Sequence, residues 1–325
     1  MRTLRRMLPL LAAVAGLLVL FRVWVPGFLA LDNMLDLAQQ ISVNAIIAFG
    51  MTLVILTGGI DLSVGALVAL VGTTTVYGLI ALGGTDTQSV SGVRLGGETG
   101  VAAAMLLGLG AAAAVGLANG LCAAKTRMPP FIITLATMLI ARGAALRFNE
   151  GRPMHIPEVH TLFLALGNGR VGGVVPVPVL VMLVLFVVTA VLLHRTRFGQ
   201  HLYAMGGNRE AALFTGVPVA RIEVAVYAIG SLLAAVAGMI NASQLYSAEP
   251  ASGGGFELSA IAAAIVGGTS FTGGRGTMVG TLIGAVIIGI LDKGLNQAGV
   301  HFSLQYIVKG LVILAAVYVD VRRAR

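Results

Sequence analysis

Ten apolar runs dominate this chain of 325 residues, near 8–25, 38–57, 61–82, 101–124, 131–147, 175–193, 222–241, 258–270, 277–295 and 303–319. Crossing a hydrocarbon core in helical form takes about 20 apolar residues. Most of the runs meet that length, and 258–270 is short enough to be a half-helix. Barrel strands would alternate polar and apolar residues over about 10 positions, and these runs do not alternate. Charge is too sparse for a soluble surface: Asp, Glu, Lys and Arg make up 10% of the chain and hydrophobic residues 57%. The same figures exclude a disordered chain, a secreted disulfide scaffold and a nucleic-acid binder. The single Cys122 has no internal partner and lies in an apolar run. An all-α integral membrane protein of about ten transmembrane helices is expected.

The basic residues orient it. Ten spans put both termini on one side. On that side fall Arg2, Arg5, Arg6, Lys125, Arg127, Arg195, Arg197, Arg209, Arg221, Arg275, Arg322, Arg323 and Arg325. The opposite side has only Arg94, Arg147, Arg152, Arg170 and Lys293. The Lys/Arg-rich side is cytoplasmic, so both termini are expected inside. Ala13-Val14-Ala15 resembles a signal-peptide cleavage site, but the first run continues to Trp24 and Pro26. A retained first span is the expectation.

Two stretches align without gaps, GGIDLSVGALVALVGTT at 58–74 and GGFELSAIAAAIVGGTS at 254–270, with seven of seventeen positions identical. Asp61 pairs with Glu257 and Ser63 with Ser259. The charge-based topology runs the two copies in opposite directions, and inverted repeats of this kind characterise transporters. The halves span approximately 38–147 and 222–319 of a single permease domain, 1–325. A membrane carboxylate pairs, lines water or caps a helix. Asp61 and Glu257 stand at helix starts, where capping and a place on a translocation path are both physically sound. The polar groups in or beside the runs are Asn44, Asp61, Ser63, Asn119, Asn241, Gln244, Glu257 and Ser259. They are the candidates for the path, and interhelical hydrogen bonding accounts for each of them equally well.

No energy source is visible. The chain has no G-x-x-x-x-G-K-[ST], no H-E-x-x-H and no G-x-S-x-G. GGTSFTGGRG at 267–276 lacks the lysine of a phosphate loop and is expected to be a tight cytoplasmic turn. His155 and His160, in the long external loop 148–174, are expected at the surface. Arg142 and Lys309 lie within spans with no carboxylate expected at their depth, which suits structural or snorkelling charges better than ion coupling. Energy must therefore enter at the long cytoplasmic loop 194–221. There Asn208-Arg209-Glu210-Ala211-Ala212-Leu213-Phe214 reads as a short helix, opened by Gly206-Gly207, N-capped by Asn208 and closed by Gly216 and Pro218. It is expected either to lie on lipid or to fit a groove on a cytoplasmic subunit. In the second case its Gly-Gly entry and small Ala211-Ala212 face should tolerate bulk poorly, and Gly207→Val should strain any positive-φ turn there.

These residues resemble a known family. QQISVNAIIAFGMTLVILTGGIDLSVGALVAL at 39–70, PPFIITLATMLIARG at 129–143, HRTRFGQHLYAMGGNREAALFTGV at 194–217 and FELSAIAAAIVGGTSFTGGRGTMVGTLIGAVIIGIL at 256–291 are similar to permease subunits of bacterial ATP-binding-cassette sugar importers. The likeness is to the ribose/xylose/arabinose/galactose branch, nearest in wording to its ribose permeases. It implies a multi-pass protein of the bacterial cytoplasmic membrane that imports a monosaccharide, ribose or another pentose. It further implies a homodimer, a cytoplasmic ATPase with two nucleotide-binding domains that carries the ATP and Mg, and a periplasmic or lipid-anchored sugar-binding protein. No cofactor and no nucleic acid are expected on this chain itself. The likeness makes the loop helix, with Gly206, Gly207, Asn208, Glu210, Ala211, Ala212 and Gly216, the element that couples to the ATPase. Glu249, beside Pro250 on the outward side, is a candidate for docking the binding protein. Two departures, Ser259 where the family has Asp and a long polar loop at 83–100, bear on which sugar is carried. A nucleoside or other furanose as cargo, an ion-coupled secondary transporter and a channel are the alternatives.

Overall fold

The computed structural model describes residues 2–82, 97–126 and 128–324. Most of the polar loop 83–100, Arg94 included, lies outside the described residues. In chain order the elements are α1 (Arg2–Trp24), α2 (Leu31–Leu56), α3 (Val64–Leu82), α4 (Gly97–Thr126) and α5 (Pro130–Arg147). Then come β1 (Met154–His155), α6 (Thr161–Asn168), β2 (Arg170–Val171), β3 (Val175–Pro176), α7 (Val177–Arg195), α8 (Arg197–Gly207) and α9 (Arg209–Phe214). The chain closes with α10 (Val219–Gln244), β4 (Ser247–Ala248), α11 (Phe256–Val266), α12 (Met278–Gln297) and α13 (Phe302–Ala324).

Each expected apolar run lies on a helix. Among the described residues eight helices are long and apolar enough to cross a membrane: α1, α2, α3, α4, α5, α7, α10 and α12. The other two expected spans are shorter as apolar helices, α11 and the 302–318 portion of α13.

The repeat explains why α11 is short. Its first copy becomes the turn 57–63 followed by the 19-residue α3. The second becomes an 11-residue helix. Val71 of the first copy corresponds to Gly267, which begins a Gly-Gly doublet. Gly268 has φ +90°, and its N–H donates to Ile265 O while Thr269 N–H donates to Ala264 O. This is a Schellman stop, available where glycine takes the left-handed conformation. In α3 the matching Gly72 stays helical and the span runs on.

The chain divides into two compact units. The first comprises Met1–Gly58, Leu183–Val217 and Leu258–Arg325; the second comprises Gly59–Met182 and Pro218–Glu257. In the first unit α2, from the leading half of the sequence, packs on α12 of the trailing half. Thr52 and Thr281 share a buried hydroxyl–hydroxyl hydrogen bond of 2.7 Å there, and Gly289 leaves the space that Ile41 fills. In the second unit α10, from the trailing half, packs on α3 and α4. Each half therefore contributes its first long helix to the unit built from the other half's helices. Those two helices are buried along most of their length. By contrast α1 exposes Val19, Val23 and Trp24, as suits lipid contact.

The loop 148–174 is more structured than a surface loop. β1 pairs antiparallel with β4, Met154 opposite Ala248, and β2 pairs with β3. His155 is exposed as expected, but His160, at the start of α6, is buried. Burial holds its imidazole below the usual histidine value by disfavouring the cation.

Small residues set the distance between α4 and α10. A Cβ on Gly120 would lie 2.6 Å from Val224 Cα, and one on Gly116 would lie 2.7 Å from Ser231 Oγ. Gly110 of the same helix has no atom within 4 Å of that position. Gly120→Leu is therefore expected to lower the thermal unfolding temperature of the purified protein, at a cost of about 1–3 kcal/mol or more. Gly110→Leu should leave it unchanged, and equal effects of the two would refute close packing at Gly120.

Candidate functional site

Three of the path candidates form one buried cluster in the second unit. Asp61 lies in the turn before α3, and its Oδ1 accepts from Ser63 N–H at 2.9 Å and from the Ser63 hydroxyl at 2.5 Å. Asn119 of α4 donates to Ser63 Oγ at 3.2 Å. Thr137 of α5, not a candidate from sequence, donates to Asn119 Oδ1 at 2.6 Å. Asp61 and Ser63 are 0% exposed and Asn119 is 1% exposed, so none of the three lines an open path in this conformation. The carboxylate closes the start of α3, and the amide ties that start to α4 and α5. Asp61 Oδ2 remains buried without a protein donor.

Glu257, the repeat partner of Asp61, is half-buried in the first turn of α11 and accepts from Gly255 N–H at 3.2 Å. Its carboxylate lies against Gly65 of α3, where a Cβ would collide with Glu257 Oε2 and Gly253 O. Arg142 holds the same loop: its guanidinium donates to Pro250 O and Ser252 O, each at 2.7 Å. Glu257 also interacts with it electrostatically, contrary to the expectation that no carboxylate shares its depth.

Asn44 and Ser259 meet in the first unit. They line a small pocket with Gln40, Ile41, Ala263, Ala285, Ile288, Gly289 and Asp292. Asn44 Oδ1 is buried with no protein donor. Lys309 corrects the expectation that it had no acid at its depth: Asp292, well inside α12, pairs with it at 3.0 Å. Nothing in the sequence marked that pair, because the partners sit on different helices.

The remaining candidates are dispersed. Asn241 and Gln244 are half-buried at the end of α10, but their neighbour Ser243 makes the contacts. Its hydroxyl donates to Phe163 O and Leu164 O at 2.9 Å and accepts from Gly167 N–H at 2.9 Å, pinning α6. Glu249 is half-buried just after β4.

The loop 194–221 contains two helices where one was expected. Gly206 and Gly207 are the last residues of α8 and do not open α9. Gly206 is the packed one: a Cβ there would collide with Leu56 O and lie 2.5 Å from Gly274 N. Gly207 has helical backbone and open space, so there is no positive-φ turn at that glycine for bulk to strain. Gly274 N–H donates to Leu56 O at 3.0 Å, and Tyr203 OH donates to Gly276 O at 2.7 Å. Burial pushes the Tyr203 phenol up to about 12, so it stays a neutral donor. Together these contacts fasten α8 to the end of α2 and to the 267–277 turn. The turn itself closes with Ser270 N–H on Arg275 O at 2.7 Å.

The helix α9 is capped at both ends. Asn208 Oδ1 accepts from Ala211 N–H at 2.9 Å. Gly216, at φ +82°, donates to Leu213 O, and Val217 N–H donates to Ala212 O. Ala212 is buried, whereas Glu210 and Ala211 are exposed. Leu213 is 57% exposed and Phe214 90%.

Comparison with known proteins decides what kind of chain carries this loop. Residues 33–317 match the family described as "Branched-chain amino acid transport system / permease component". The chain belongs to this permease family. It is 46% identical over 308 residues to the ribose import permease protein RbsC of Bacillus subtilis (strain 168), covering 95% of this chain and 90% of that protein. It is 44% identical to the RbsC of Escherichia coli (strain K12), covering 95% and 92%. Against the L-arabinose transport system permease protein AraH of the same strain it is 34% identical, covering 96% and 89%. No solved structure matches it significantly.

For the permease, then, the polar residues sort into helix starts and loop anchors in the second unit, a small polar pocket in the first, and a capped helix with an exposed aromatic. The glycine doublet gives a direct check. Gly206→Ala should lower thermal stability and expose the 194–221 loop to limited proteolysis, while Gly207→Ala should match wild type. Indistinguishable variants would show that Gly206 is not packed.

Proposed function

We propose that this permease forms the membrane path of an ATP-binding-cassette importer in the bacterial cytoplasmic membrane and carries a monosaccharide, ribose or another pentose. Its own chain supplies no ATP site; ATP and Mg belong to a cytoplasmic ATPase subunit. A second copy of the permease and an external sugar-binding protein complete the assembly, with both termini inside. The observation that carries this reading is the geometry of α9, taken with the near-full-length similarity to ribose import permeases. Its caps make the short helix rigid, and Phe214 stands almost entirely free of its own chain. An aromatic presented in that way is the anchor a groove on a partner subunit takes.

In this reading the α8 contacts at Leu56, Gly274 and Gly276 carry displacement of α9 by the ATPase to the end of α2 and the start of α12. Asn44 on α2, with Ser259 and Asp292, offers amide, hydroxyl and carboxylate groups suited to sugar hydroxyls. Glu249, near the β1/β4 pair, faces the binding protein.

Two experiments test it. Ribose uptake by cells expressing the permease with its ATPase and binding protein should fall at least about tenfold in Phe214→Asp, since interface anchors are worth about 2 kcal/mol or more. ATPase recruitment to those membranes should fall with it, and permease abundance should not. Full uptake in Phe214→Asp would dismiss α9 as the coupling element. Absence of any ribose uptake by the wild-type assembly, with arabinose or allose taken up instead, would dismiss ribose. For the orientation, single cysteines are placed at Thr161 and Gln200 in a Cys122→Ala background. A membrane-impermeant thiol reagent outside intact cells should modify the first and spare the second. Modification at Gln200 would invert the topology.

A further inference from the structure

A groove in the second unit holds a combination that the transport reading does not use. It runs between the end of α4 and the beginning of α10, with Leu117, Leu121, Val224 and Ala228 along it and Lys125 and Arg221 at one end. Both cations are exposed. Among the described residues no acidic side chain lines the groove; Glu223, the nearest acid on α10, is buried.

The placement of Arg221 is electrostatically costly by itself. It stands in the first turn of α10, where the helix dipole is already positive and a cation is disfavoured. That helix start has Pro218 at its N-cap, no side-chain cap and no acid in its first turn. Its leading N–H groups and Arg221 therefore present uncompensated positive charge. Lys125 adds to it from the last turn of α4. A bound anion would offset all three. The rest of the groove states what the anion is attached to. Leu117 and Leu121 are exposed apolar side chains one helical turn apart, and with Val224 and Ala228 they continue the site along the helices, away from the charges. An inorganic or sugar phosphate would leave that surface uncovered, whereas an acyl chain would cover it.

We propose that the α4/α10 groove binds an anionic phospholipid, its phosphate between Lys125 and Arg221 and one acyl chain along Leu117, Leu121 and Val224. Basic clusters at the cytoplasmic end of membrane helices attract such lipids, each Lys or Arg strengthening binding about fivefold. Bound there, the lipid braces the glycine-spaced contact between α4 and α10. It also holds Arg221, in the first turn of α10 and five residues after Gly216, the residue that closes α9. The proposal rests on the membrane reading of the chain and not on its substrate. Loss of ribose uptake with lipid binding intact would fault the transport reading alone.

The test is native mass spectrometry of the purified full-length permease, delipidated and then titrated with palmitoyl-oleoyl-phosphatidylglycerol or with the matching phosphatidylcholine. The expected result is preferential retention of the phosphatidylglycerol, accompanied by a rise in unfolding temperature that phosphatidylcholine does not produce. Lys125→Gln and Arg221→Gln should each weaken phosphatidylglycerol retention about fivefold, and the double variant about twentyfold. Arg195→Gln, a cation removed elsewhere on the same charged side, should retain wild-type affinity. Equal retention of the two lipids by wild type would overturn the proposal, even if the variants failed to fold. So would undiminished phosphatidylglycerol binding by a folded double variant.

Discussion

Lipid offers no hydrophobic reward for bringing apolar helices together, since a leucine is as well solvated by acyl chains as by another leucine. Helices in such a chain are held by close backbone approach and by polar contacts that hydrocarbon cannot replace. The permease is built on this constraint. Gly116 and Gly120 let α4 come down on Ser231 and Val224 of α10, and Gly289 admits Ile41 against α12. Where the backbones meet, hydroxyls and amides complete the contact: Thr52 with Thr281, and Asn119 with Ser63 and Thr137. Large apolar side chains face outward along α1 and α7, the reverse of a soluble core.

The exchange of leading helices between the halves follows from the same economy. α2 and α10 are buried along most of their length, and a helix so buried needs neighbours that leave it room. Each finds them among the helices of the opposite half. The cost is a chain that must break and turn at 57–63 and at 245–255, where backbone polar groups lose helical partners. The acids of the repeat are placed at those breaks. Asp61 closes the first, and Glu257 with Arg142 closes the second. What looks like a pair of path residues is, in this conformation, the apparatus that makes two broken helices tolerable.

The loop 194–221 obeys a different rule. In water a six-residue helix has no stability of its own, so α9 persists because both ends are capped and because α8 ties it to the body of the first unit. The capping spends no large side chain, which leaves Leu213 and Phe214 free. A rigid helix with an exposed aromatic is suited to transmitting force, while a frayed one would absorb it.

The sequence by itself determined the class of the molecule. Apolar length and the scarcity of charge demanded membrane helices, and among the described residues eight of the ten expected runs became helices long and apolar enough to span, the other two forming shorter apolar helices. Local chemistry also determined the caps, because Asn208, Gly216 and the Gly267-Gly268 doublet act through bonds between residues three to five positions apart. Only the tertiary structure decided what the polar groups meet. Asp292 finds Lys309, Asn119 finds Ser63, and Gly206, not Gly207, is the glycine without spare room. Each of these depends on contacts between residues far apart in the chain, and no periodicity along one helix records which neighbour that helix will have.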